Sequence, residues 1–232
     1  RLTHSTEYPY LMLIASGGHC QFVIVKGPSA FTRLGGTIDD APGEAFDKTA
    51  KIIGLGYPGG PAVEKRALKG DPNAFNLPSP LTNLENCDMS FSGLKTAVRR
   101  EIEKGLTSNK VLPDPIINDL CASFQKTVGE IFVAKGSIAM SNFKRRYPQA
   151  PANIALVGGV AANKKIKSQL QRAAKSIDFN TIVPPPDLCT DNAAMIAFAG
   201  AKLYLNGKDS KENLIARPRW PLDETAEFLV GS

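Results

Sequence analysis

The sequence predicts an α/β fold, a mixed sheet with flanking helices. Three short β-type runs near residues 10–15, 21–26 and 31–36 follow one another through Gly-containing links and form a meander. Beyond them, helical patterns alternate with apolar strands at 152–157 and 180–183. No internal repeat or low-complexity segment interrupts this order.

The helices follow from spacing and punctuation. Between 41 and 53, Phe46, Ala50 and Ile53 share one face, Pro42 fits the first turn, Asp40 is the expected cap and Gly54 marks the end. A second helix is expected over 60–69. The stretch Gly70 to Asn86 carries Pro72, Pro78 and Pro80 and reads as an irregular excursion. Ser92 is the expected cap of a helix reaching Lys104, and Pro115 opens a long helix to Arg146, bent or broken near Gly129 or Gly136. Helices at 162–174 and 191–205 complete the order, the latter capped by Thr190 or Asp191 after three stiffening prolines, Pro184 to Pro186. The tail Arg217 to Leu222 is extended, with Trp220 expected as a packing anchor.

Composition bounds the partners. With 232 residues, 43% hydrophobic and 22% charged, the chain can bury one large or two modest cores. No apolar run approaches the length of a membrane span. Cys20, Cys87, Cys121 and Cys189 are scattered without a C-x-x-C pair, which reads as reduced, packed thiols. A net charge of +6 and a pI near 9.1 admit a nucleic-acid partner. Basic clusters at Arg99-Arg100 with Lys104, Lys144-Arg145-Arg146, Lys164-Lys165 with Lys167, and Arg217 with Arg219 read first as solvated helix faces, with phosphate contact as the alternative. Few aromatics interleave them, so a folded RNA read by shape and backbone suits this chain better than a base-stacking platform.

Two glycine turns and an acid-rich helix start are where chemistry concentrates. Gly17 and Gly18 follow the first apolar strand, and such a turn can present N–H groups to an anion. Gly158 and Gly159, before Asn163, follow a buried strand and precede a helix, the place where α/β sheets bind ligands. Between the two turns stand Asp39, Asp40, Glu44 and Asp47. Taken singly, a hairpin turn, a capped helix and a strand-to-helix turn would each account for these residues. Neither G-x-G-x-x-G nor a Walker loop is present.

The motifs Ser16-Gly-Gly-His-Cys-Gln21, Ile38 to Lys48, Tyr57-Pro-Gly-Gly-Pro61, Met89-Ser-Phe-Ser-Gly-Leu-Lys-Thr96, Leu156 to Asn163 and Cys189 to Ile196 stand in an order that resembles the TsaD family of tRNA N6-adenosine threonylcarbamoyltransferases, bacterial and mitochondrial. The resemblance implies the actin-like ATPase (ASKHA) fold, with residues 1–190 as its nucleotide-binding domain II and 191–232 as a helix and tail packing on domain I. Members carry an amino-terminal half with a His-x-x-x-His pair. Here the histidines are His4 and His19, so that amino-terminal domain is expected to be missing and the fragment inactive by itself. The implied activity is transfer of threonylcarbamoyl from threonylcarbamoyl-AMP to N6 of the adenosine beside the anticodon, in tRNAs reading codons that begin with A.

Carried over by motif, Ile14, Ala15, Ser16, Gly17 and Gly18 surround the phosphate and carbamoyl end, Asp47 and Gly60 the ribose side, and Asn163 the adenosine side. Asp191 becomes a ligand of one divalent metal, iron or zinc, shared with the absent histidine pair. An adenylate or ATP-type ligand, tRNA and either partner proteins of a threonylcarbamoyl transfer complex or a second copy are the implied partners. No membrane is implied, and the implied compartment is the bacterial cytoplasm or the mitochondrion. Two other readings share the glycine turns: a non-catalytic actin-like scaffold of the same pathway, and an actin-like small-molecule kinase.

Overall fold

A computed structural model describes residues 3–105, 112–189, 192–207 and 220–226. Five strands form one sheet in the order β3-β2-β1-β4-β5: β1 Tyr10–Ala15, β2 Cys20–Gly27, β3 Ala30–Gly36, β4 Asn153–Val157 and β5 Asn180–Ile182. The meander β1–β2–β3 is antiparallel, while β4 runs parallel to β1 and β5 parallel to β4. The mixed sheet is therefore the one the sequence predicts.

Alternation assigns the faces. Leu11, Leu13 and Ala15 of β1, Phe22 and Ile24 of β2, and Ile154 and Leu156 of β4 enter the main core, whereas Tyr10, Val25 and Ala155 form a small cluster apart from it. The main core is closed by α1 Pro42–Ile52, α2 Gly59–Ala67, α3 Ser92–Gly105, α4 Asp114–Arg146 and α5 Lys164–Lys175. Phe46 of α1 meets Phe124 of α4 edge to face, with ring centroids 5.0 Å apart. A sixth helix, α6 Ala193–Leu205, buries none of its residues.

α4 is one continuous helix of 33 residues, so neither Gly129 nor Gly136 breaks it. Both glycines face α5 across a close contact. A Cβ on Gly129 would collide with the Gln169 side chain of α5, and one on Gly136 would lie 3.3 Å from Leu170. Within the same helix Lys135 is fully buried, its Nζ donating to the carbonyls of Leu84 (2.9 Å) and Asn86 (3.0 Å). Burial pushes this ammonium below its ordinary pKa. The lysine thus fastens the irregular excursion to the core.

Three expected caps are corrected. The N-cap of α1 is Ala41, without a side-chain bond, because Asp40 pairs with Lys48 at 2.8 Å. At α3, Ser92 is not the acceptor: Asp39 takes the N–H groups of Phe91 and Ser92 and the hydroxyls of Ser90 and Ser92. α5 starts at Lys164, later than expected, because residues 160–162 form a 3-10 turn first. α6 is capped by Asn192, whose side chain accepts from Met195 N, while Thr190 and Asp191 lie outside the described residues. Trp220 is 67% exposed, its indole N–H bonded to Glu224.

All four cysteines are free, and Cys20, Cys87 and Cys121 are buried as expected. Burial pushes the Cys87 thiol up to about 11 and the Cys121 thiol up to about 12. No helix among the described residues is long and apolar enough to cross a membrane.

Candidate functional site

The site follows from strand order. β1 and β4 are parallel neighbours, with Ile14 paired to Val157, so both glycine turns leave the same edge of the sheet side by side. Chain order reverses between these strands, and a crevice outside their carboxyl ends is the general ligand position of open α/β sheets. The approach is close: a Cβ on Gly158, whose φ is +95°, would run into the Ala15 carbonyl. Gly158 is therefore glycine for the backbone's sake.

The helices close the crevice by equally tight contacts. Gly43 N donates to Ser16 O, and a Cβ there would stand 2.7 Å from Gly17 Cα, which seats the start of α1 on the first turn. Asp47 reaches from α1 to α2, its Oδ1 accepting the Gly59 N–H at 2.7 Å. A Cβ on Gly59 would lie 2.6 Å from Asp47 Cα. The first turn itself is fastened by Ser16 N to His19 O at 2.8 Å and by His19 N to Ser16 Oγ at 3.1 Å.

The result is a cleft of about 450 Å³ whose walls include Gly17, Asp47, Tyr57, Gly60, Gly159 and Asn163. Of the residues assigned from sequence, Gly17, Asp47, Gly60 and Asn163 line it. Ile14 and Ala15 are still within β1, Ser16 closes the turn, and Gly18 stands at its exposed tip. Gly17, Gly18, Gly60 and Gly159 have open space where a Cβ would be and no positive φ. Nothing among the described residues requires glycine at these positions.

A model of the family "TsaD: tRNA N6-adenosine threonylcarbamoyltransferase" matches residues 1–198. The chain belongs to the TsaD family. The tRNA N6-adenosine threonylcarbamoyltransferase of Ruegeria sp. (strain TM1040) is 49% identical over 232 residues, covering 100% of this chain and 63% of its own length. The protein of that name from Paracoccus denitrificans (strain Pd 1222) is 51% identical, covering 100% of this chain and 64% of its own length. For Rickettsia massiliae (strain Mtu5) the figures are 49%, 97% and 64%. The chain thus spans less than two thirds of the relatives it matches. Among solved structures, the crystal structure of T. kodakarensis HypF gives a TM-score of 0.47 at 19% identity, over 75% of this chain and 21% of that one. The actin-like α/β architecture expected of the TsaD family is met by the five-stranded mixed sheet and the six helices among the described residues.

Asn163 lines the cleft and also caps α5. It is 7% exposed, its Oδ1 accepts from Lys165 N and Ile166 N at 3.1 Å each, and its Nδ2 donates to Gln125 Oε1 at 2.9 Å. Its oxygen is therefore spent on capping α5, and the amide cannot donate and accept at once toward a ligand. Gln125 was invisible to sequence reasoning, because a lone glutamine inside a long apolar helix gives no signal. The sequence places Asp39 among the acids at the start of α1, yet it serves α3. Burial alone would raise its pKa, but the Ser90 hydroxyl, the Phe91 N–H, and the Ser92 hydroxyl and N–H outweigh this and hold it below the ordinary carboxylate range.

Among the described residues no three His, Cys, Asp or Glu side chains come together to hold a metal. Those residues do not compose a metal centre by themselves. The residue assigned to one from sequence, Asp191, lies outside them.

Proposed function

We propose that this chain supplies the adenylate-binding wall of a tRNA N6-adenosine threonylcarbamoyltransferase, with threonylcarbamoyl-AMP as donor and, as acceptor, the adenosine beside the anticodon of tRNAs reading codons that begin with A. The observation that carries this reading is the convergence of Gly17, Asp47, Gly60 and Asn163, from four separate segments, on one cleft. The open glycines let backbone N–H groups meet phosphate and ribose without a side chain between them. Asp47 spends one oxygen on Gly59, and the other is left for ribose hydroxyls. Tyr57, 86% exposed at the cleft wall, offers a flat face to a base.

The reaction is acyl transfer. The N6 amine attacks the carbamoyl carbon, the new C–N bond forms, the bond to the adenylate phosphate oxygen breaks, and AMP leaves as the amine gives up a proton. What these residues contribute is a fixed donor: holding the AMP portion sets the carbonyl in one place and turns a bimolecular attack into a positioned one. Asp191, as ligand of one iron or zinc ion, belongs to the same reading, as do residues 1–190 as nucleotide domain and 191–232 as the segment that packs on another domain. Alone, the chain is proposed to bind adenylate without completing transfer. The proposed compartment is the cytoplasm.

For the RNA, Arg33 of β3 joins Arg145 and Arg146 at the end of α4 around a groove of about 550 Å³ that also includes Asn142 and Glu85. Three guanidinium groups from two distant segments suit a phosphate backbone. Replacing Arg145 and Arg146 by Glu should weaken tRNA binding and flatten its salt dependence, while AMP affinity stays constant. For the adenylate, calorimetry with AMP is decisive. Asp47→Asn keeps an acceptor for Gly59 N–H, so the fold should persist while affinity falls about tenfold. Unchanged affinity would remove Asp47 from the ribose side.

A further inference from the structure

We propose that Gln125, which lies behind the cleft wall, is the positioning residue of Asn163, and that Asn163 therefore offers a bound nucleotide one N–H donor and no acceptor. The inference rests on the adenylate reading above. Its starting point is the hydrogen-bond arithmetic of two buried amides. Lys165 and Ile166 present backbone N–H groups, which can only donate, so the atom they meet on Asn163 must be the oxygen. That settles which way the Asn163 amide points without reference to the ligand. Nδ2 must then face Gln125, and Gln125 must turn its oxygen toward it.

After these bonds the Asn163 amide has one polar position uncommitted, the second hydrogen of Nδ2. Because Asn163 lines the cleft, that hydrogen is the side chain's means of recognising a ligand there. The group it meets must carry a lone pair, as a ring nitrogen of adenine or a ribose oxygen does. Gln125 is itself 7% exposed, and it lines not this cleft but the adjoining cavity of about 660 Å³ between α2, α4 and α5. Through Asn163 it acts on the site from 38 residues upstream in sequence. An unheld Asn163 would still be anchored by its oxygen, but its planar amide could rock about that anchor and misdirect the donor.

Three variants test this, each with a melting curve and calorimetric titration of AMP. Gln125→Leu removes the acceptor and should weaken AMP about fivefold. Gln125→Glu keeps an acceptor oxygen for the same N–H and should restore affinity to within about twofold of the parent. Asn163→Asp remains as good a helix cap, so melting should hold, but it has no hydrogen to give and should lose about tenfold. If the parent protein does not bind AMP, the adenylate reading itself fails. If the parent binds and Asn163→Asp binds equally well, the donor assignment is overturned. Equal weakening by Gln125→Leu and Gln125→Glu, both folded, would overturn the positioning role. Should Gln125→Leu fail to fold, Gln125→Met, which also removes the acceptor, takes its place in that comparison.

Discussion

α4 and α6 are the two most apolar helices among the described residues, α4 with one exposed polar stripe that includes Lys126 and Glu130 and α6 with almost none, and they end in opposite situations. α4 runs through the middle of the molecule, with Phe124, Ile131, Phe132 and Phe143 fully buried and even Lys135 out of solvent. α6 reads Ala-Ala-Met-Ile-Ala-Phe-Ala-Gly-Ala-Lys-Leu-Tyr-Leu, and Ile196 and Tyr204 remain 67% and 69% exposed. A helix with so little polar surface asks to be covered almost all round. For α4 the cover is the sheet and the helices α2 and α5. For α6 none of the described residues supplies it, which agrees with the proposal that residues 191–232 pack on another domain. The pattern in the sequence states the demand for burial and is silent about who meets it.

The sharpest way to break the comparison is to cut the same chemistry out of both helices. Phe132→Ala in α4 should cost about 3–5 kcal/mol, since the ring packs against Phe91 and the cavity it leaves lies in the centre of the core. Urea unfolding would show it, and a loss under about 1 kcal/mol would mean that α4 is not the keel of this fold. Next in size is Lys135→Met, which leaves two carbonyls, of Leu84 and Asn86, without their donor and should cost about 1–3 kcal/mol. Protease nicking within residues 81–87 should rise with it, because this lysine is what ties that excursion to α4.

Asp39→Asn tests a smaller contribution and carries a sign. The folded pKa lies below the ordinary value of 3.8, so ionisation of Asp39 contributes stability that is complete above that value and is lost as pH falls through the folded pKa. The variant should therefore melt several degrees lower than the parent near pH 7, by about 1 kcal/mol, with the gap narrowing as pH drops below about 4. A gap independent of pH would show that the carboxylate's charge is irrelevant to the start of α3.

Much of this was legible. Strand alternation and glycine punctuation located the sheet and its helices to within a few residues, because both record local backbone requirements. The site was legible as residue types, Gly17, Asp47, Gly60 and Asn163, but their partners were not. The acids Asp39, Asp40 and Asp47 sit within nine residues of one another, yet they serve α3, Lys48 and α2 respectively. Gln125 escaped altogether. Contacts across tens of residues are set by how the helices cross, and spacing along one helix carries no trace of that.

The smallest effect belongs to α6. Ile196→Ser removes an exposed branched side chain that no described residue buries, so stability of this chain should change by less than about 0.5 kcal/mol. Its consequence lies elsewhere. An uncovered apolar helix binds hydrophobic dyes and favours self-association, and both should fall in the variant while the melting curve overlays that of the parent. The same substitution in a family member of full length should behave differently if another domain covers this face, lowering the melting temperature as a core change does. Equal and negligible effects in both proteins would mean that α6 faces solvent throughout the family, and its likeness to α4 would then be one of composition alone.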